Sequence, residues 1–152
     1  MRVLRIALSA GLLAAAPVAN YGPFVRTGSL VVVSGQICLG PDGRIADAHK
    51  GKLGREVSLE QGQDAARLCA VNVLAQMRAA LGDLESIVRC VRLGGFINAD
   101  PSFAALAQVM NGASDLMVAV LGDQGRHARS TIGVAELPLD AAVEVEAMFE
   151  VR

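Results

Sequence analysis

Near its C-terminal end the chain alternates with a period of two. Val143, Val145, Ala147, Phe149 and Val151 are apolar, and Glu144, Glu146, Met148 and Glu150 fall between them. Side chains of a strand point to opposite faces at this period, so the segment predicts a β-strand over 143–151 with one face in a core and the other carrying carboxylates. A strand of this kind needs its apolar face covered, by helices or by a second sheet. The chain has 152 residues, enough for one domain with one core. Hydrophobic residues make up 53% and charged residues 19%, which excludes a disordered chain. Aromatic residues supply only 3%, so the core is built from Val, Leu, Ile and Ala. This aliphatic surplus predicts an apolar face left over for a partner subunit.

The rest of the chain supplies the covering elements. Phe24 to Arg26 and Leu30 to Ser34 flank the turn-like Thr27-Gly28-Ser29 and read as a hairpin. Gly40 to Lys52 is a polar loop. Ser58-Leu59-Glu60-Gln61 has the form of a capping box and opens a long helix, which Gly82 is suited to stop. Val88 to Ile97 reads as a strand. Asp100-Pro101-Ser102 is expected to start a second long helix running to Leu121-Gly122, and Ser130 to Glu136 to form a further strand. The order β-β-α-β-α-β-β predicts an α+β fold with both helices on one sheet face.

Several function classes are excluded on composition. There are 14 basic and 15 acidic residues, with no run of one sign, so the clustered cations that bind phosphate backbones are missing and no nucleic-acid partner is expected. The three cysteines, Cys38, Cys69 and Cys90, are widely spaced, with no Cys-x-x-Cys and no nearby His pair, which predicts neither a disulfide framework nor a metal site. Arg2 and Arg5 before the uncharged Ile6 to Ala16 have the outline of a secretory signal. The small residues there run straight into Pro17, and Asn20, Gly22 and Pro23 break the stretch before it could span a bilayer. The expectation is a cytoplasmic protein without a membrane partner. Val3, Leu4, Ala7, Leu8 and Leu12 form the apolar stripe of an N-terminal helix over 1–16, ahead of a single domain over 17–152.

Five short motifs then occur in order: Asn20-Tyr21-Gly22-Pro23-Phe24-Val25, Val33-Ser34-Gly35-Gln36, Ala128-Arg129-Ser130-Thr131, Ala135-Glu136-Leu137-Pro138 and Val143-Glu144-Val145-Glu146-Ala147. Together they resemble the successive motifs of the Rid family, also called YjgF, from about Pro17 to Val151. The resemblance implies a chorismate-mutase-like fold and a homotrimer with a central β-barrel, helices outside and a cleft at each subunit interface. It also implies hydrolysis of small enamine or imine acids, such as 2-aminoacrylate and 2-iminobutanoate, to 2-keto acids and ammonia without cofactor or metal. Non-catalytic binding of small carboxylates or a chaperone-like trimer is the alternative. The ribonuclease activity reported for some members fits less well with a near-neutral chain poor in lysine and aromatic residues.

The resemblance also assigns residues. Arg129 matches the substrate-binding arginine, whose planar fork suits a carboxylate; on spacing alone it reads rather as an exposed strand-end or interface salt-bridge arginine, and the Ala128-Arg129-Ser130 context favours the functional role. Glu144 matches the water-positioning glutamate, although it shares a polar face with Glu146 and Glu150. A carboxylate held near Arg129 is expected to have a depressed pKa. Ser34 and Gly35 match the place where backbone approaches substrate, and Gly35 is equally suited to a β-bulge. Asn111 matches a cleft-lining helix asparagine, or with Gly112 marks a helix break. Thr131 stands where deaminase members commonly carry a cysteine, and Phe24 where they carry a tyrosine, keeping the apolar wall without the hydroxyl. Gly112-Ala113-Ser114-Asp115-Leu116 together with His127 sets the chain apart as a distinct branch.

Overall fold

The C-terminal alternation becomes the middle of the sheet. The structure is a computed structural model and describes residues 14–152. Its strands are β1 (Phe24–Thr27), β2 (Leu30–Ile37), β3 (Ile87–Asn98), β4 (Ala128–Val134) and β5 (Val143–Val151), and its long helices are α1 (Leu59–Leu81) and α2 (Leu106–Leu121). The strands lie in the order β1-β2-β5-β3-β4. All neighbours are antiparallel except β3 and β4, which α2 connects as a parallel crossover. Along β5 the odd-numbered residues are buried and the even-numbered ones half-buried. α1 packs over β2 and β5 and α2 over β3 and β4, so both helices cover the face that presents Val143, Val145 and Phe149. The opposite face carries Glu144, Glu146 and the Arg92–Glu146 ion pair, and leaves Val25 61%, Val32 40% and Ile132 51% exposed.

The helix signals act through defined bonds. Ser58 Oγ accepts from Gln61 N, and the Gln61 side chain accepts from Ser58 N, so the capping box closes on itself. Gly82 stops α1 at φ 84, a left-handed conformation that glycine adopts without strain. The start of α2 differs from expectation. Asp100 accepts from Ser102 N and Oγ and pairs with Arg55, forming a turn in its own right, and the helix begins only at Leu106. A short polar side chain that bonds the backbone two residues on competes with helix formation, and here it wins. β4 lies two residues earlier than expected. Past Val134 the chain leaves the sheet, where the Ala135 carbonyl accepts from Lys52 Nζ and Glu136 accepts from the Asn98 side chain. The helix expected over 1–16 falls outside the described residues, apart from 14–16, which are irregular. Cys38, Cys69 and Cys90 are buried free thiols. Among the described residues no helix is long and apolar enough to cross a membrane.

Candidate functional site

β4 places Arg129 under α2. In register Arg129 sits opposite Leu93, and Leu93, fully buried, faces the helices. Arg129 Nη1 donates to Asn111 Oδ1 and to Ser114 Oγ, each at 3.0 Å, and Nη2 donates to the Ala107 carbonyl at 3.0 Å. All three acceptors lie on α2, at successive turns of one helix face. A guanidinium has five N–H donors, so among the described residues Nε and one Nη2 hydrogen are left over. Ser114 Oγ is also 2.9 Å from His127 Nε2, and His127 Nδ1 is 2.6 Å from the Gly125 carbonyl. Thr131 lies two residues beyond Arg129 on the same face, and its Oγ1 is buried without a hydrogen-bond partner. A buried polar atom left unpaired costs about 1–3 kcal/mol.

A second cluster lies on β2 and the central strand β5. Between Val33 and Gln36 β2 has one residue more than β5, so Ser34-Gly35 forms a β-bulge. The bulge brings the Gly35 backbone against Glu144; a Cβ built on Gly35 would lie 1.9 Å from Glu144 Oε1. Bulge and close approach therefore hold together at Gly35, and the close approach is to Glu144. The Ser34 hydroxyl donates to the Gly22 carbonyl at 2.7 Å and ties the entry of β1 to the bulge. Gln36, nearly buried, donates to the Ser34 and Gly35 carbonyls, and Gln76 Nε2 reaches both Gln36 Oε1 and the Ala15 carbonyl. Around this cluster is a cavity of about 90 Å³ whose walls include Ala15, Pro17, Tyr21, Gly35, Glu144 and Pro138. Phe24 is not in that wall; it packs against the core. The nearby aromatic hydroxyl is that of Tyr21.

Arg129 and Glu144 do not converge within one chain. Glu144 is opposite Phe96, which is opposite Ile132, so the two residues are two strands and three register positions apart, roughly 14 Å between Cα atoms. An odd offset also puts them on opposite faces. The Glu144 carboxyl is accordingly raised above its ordinary value, first by burial and then by the neighbouring Glu146 carboxylate. This corrects the expected depression, which assumed Arg129 beside it. Ser114, His127, Gln36 and Tyr21 are neighbours of the site to which sequence reasoning gave no role. In the sequence Ser114 and His127 stand out only as a stretch expected to set the chain apart, and Tyr21 and Gln36 only as members of the five motifs.

The chain matches the family described as "YjgF/chorismate mutase-like, putative endoribonuclease" over residues 2–151. It is 48% identical to the Trypanosoma cruzi protein TCP17 over 91% of this chain and 86% of that one. A crystal structure of an Agrobacterium tumefaciens protein of unknown function, 45% identical, superposes with a TM-score of 0.88, covering 99% of this chain and 94% of the other. For E. coli TdcF with bound serine, 28% identical, the TM-score is 0.65 over 91% of this chain and 93% of that one. The backbone thus superposes more closely on the Agrobacterium tumefaciens protein than on TdcF. The family match spans nearly all of the chain, and this protein belongs to the YjgF/chorismate mutase-like family.

Proposed function

We propose that the protein hydrolyses small imine or enamine acids of the 2-aminoacrylate or 2-iminobutanoate type to 2-keto acids and ammonia, in a cleft between copies of a homotrimer. The observation that carries the reading is Arg129, held by three acceptors of α2 with two N–H donors left over. A fixed cation with spare donors suits a carboxylate, which such substrates carry beside the reacting carbon. The serine bound to TdcF bears a carboxylate of the same kind.

In this reading a second copy brings its Glu144 cluster to Arg129. The exposed Val25, Val32 and Ile132 supply apolar surface for the contact. Arg129 grips the carboxylate. Glu144 orients a water and accepts its proton as the water oxygen bonds to the imine carbon, while the imine nitrogen takes up a proton. The protonated Glu144 gives its proton to the amine nitrogen as the carbinolamine hydroxyl loses its own, the C–N bond breaks, and ammonia leaves with the 2-keto acid. A raised Glu144 pKa in the lone chain makes its carboxylate a better proton acceptor, and closer approach of Arg129 from a neighbour would lower it.

The test is ammonia release from 2-iminobutanoate generated in situ. The expected result is acceleration over the uncatalysed rate that Arg129→Ala abolishes. No acceleration, with calorimetric binding of 2-oxobutanoate intact, would replace the reading with non-catalytic carboxylate binding.

A further inference from the structure

We propose that Ser114 and His127 are positioning residues for Arg129, forming a directed hydrogen-bond relay that presets the guanidinium for an anionic ligand. The inference rests on the reading of Arg129 as the carboxylate-binding residue.

Each link of the relay dictates the next. The Gly125 carbonyl only accepts, so at 2.6 Å His127 Nδ1 carries the hydrogen. In the neutral imidazole Nε2 is then an acceptor, and the Ser114 hydroxyl, 2.9 Å away, donates to it. With its proton committed, Ser114 Oγ presents lone pairs, and Arg129 Nη1 donates to them at 3.0 Å. The second Nη1 hydrogen goes to Asn111, and Nη2 is anchored on the Ala107 carbonyl. The guanidinium plane is thereby held from α2, while the 3₁₀ turn at Gly122–Gly125 fixes the far end through His127. The rest of the α2 inner face is apolar, with Val109, Met110, Ala113 and Met117 buried, so Asn111 and Ser114 form a polar margin on that helix, facing Arg129. A cation whose orientation is set before the ligand arrives loses less freedom on binding.

The relay predicts both a spectroscopic and a kinetic result. The full chain has only two histidines, so long-range ¹H–¹⁵N spectra of ¹⁵N-histidine-labelled protein distinguish them. His127 is expected as the Nδ1–H tautomer; an Nε2–H tautomer would reverse the relay and overturn the proposal. Ser114→Ala and His127→Ala are each expected to raise KM for 2-iminobutanoate about tenfold, the worth of one hydrogen bond to a charged group, with kcat within about twofold. His127→Gln, whose side-chain oxygen can accept from Ser114, is expected to recover most of that loss. KM unchanged in both alanine variants, or kcat falling alone, would overturn the positioning role. If the wild type binds 2-oxobutanoate without turning over the imine, the deaminase reading fails and the same tenfold is read in Kd. A wild type that neither turns over nor binds would overturn both.

Discussion

At Gly112 the backbone of α2 lies close against that of α1, and replacing it tests the packing that holds the Arg129 acceptors in place. A Cβ at this position would lie 2.0 Å from the Gln63 carbonyl oxygen and 2.8 Å from its carbon. Both atoms are backbone of a long helix, so no flexible side chain can swing aside; one helix has to move by about 1 Å or more. Overpacking of a tight interior costs about 1–3 kcal/mol, and a backbone obstacle belongs at the upper end. The exchange of glycine for alanine inside a helix returns about 1 kcal/mol of propensity. The expected net loss for Gly112→Ala is therefore about 2 kcal/mol, or a fall of about 4–8 °C in Tm for a chain of this size. Thermal unfolding by circular dichroism, at matched protein concentration because assembly shifts Tm, measures it. Gly133→Ala is the control, since its Cβ would meet nothing closer than 3.6 Å from Leu106. A Gly112→Ala protein as stable as the wild type would refute the close helix approach.

Gly35→Ala is expected to act on chemistry rather than stability. Its Cβ would displace the Glu144 carboxylate by about 1 Å, and a misplacement of that size lowers kcat on the order of a hundredfold; kcat within threefold of wild type would remove Glu144 from the reaction. Glu144→Gln tests the raised carboxyl. A folded-state pKa above the unfolded 4.5 means that the stability Glu144 contributes is full below 4.5 and is lost as pH rises through the folded value. The Gln variant should thus be the more stable protein at neutral pH, with the difference closing as pH falls through the folded value toward 4.5, and urea unfolding across that range would expose the opposite trend. Asn98→Ala removes a fully buried side chain that accepts from Lys52 Nζ at 2.6 Å and donates to Glu136 Oε1 at 3.0 Å. Leaving those partners unsatisfied should cost about 2–3 kcal/mol, and a smaller loss in urea unfolding would show that water replaces the amide.

Local chemistry made much of the fold readable. The Val143–Val151 alternation, the Ser58/Gln61 capping box and the Gly82 stop each act within a few residues, and each appears in the structure where its pattern lies. Asp100-Pro101-Ser102 misled because an Asp that bonds the backbone two residues on looks the same in sequence whether a helix or a turn follows. The two-residue shift of β4 has a different origin. Its end is decided by Lys52 and Asn98, which come from distant parts of the chain.

For the candidate site the division falls elsewhere. Residue type and motif order single out Arg129, Glu144, Gly35 and Asn111, because a carboxylate-binding fork, a water-orienting acid and a Cβ-free approach are properties of individual side chains. Which of them meet is a matter of strand order and parity. Placing β3 between β4 and β5, with an odd offset in register, sends Arg129 to the helices and Glu144 to the open face. Burial beside Glu146, rather than attraction to Arg129, then sets the charge balance of Glu144. Ser114 and His127 are thirteen residues apart, and only the return of the chain from α2 into β4 joins them to Arg129. Sequence by itself determined the elements and the chemical repertoire, because both are carried by short stretches of chain. Tertiary structure alone decided the partners, because hydrogen bonds and desolvation depend on which stretches are brought into contact.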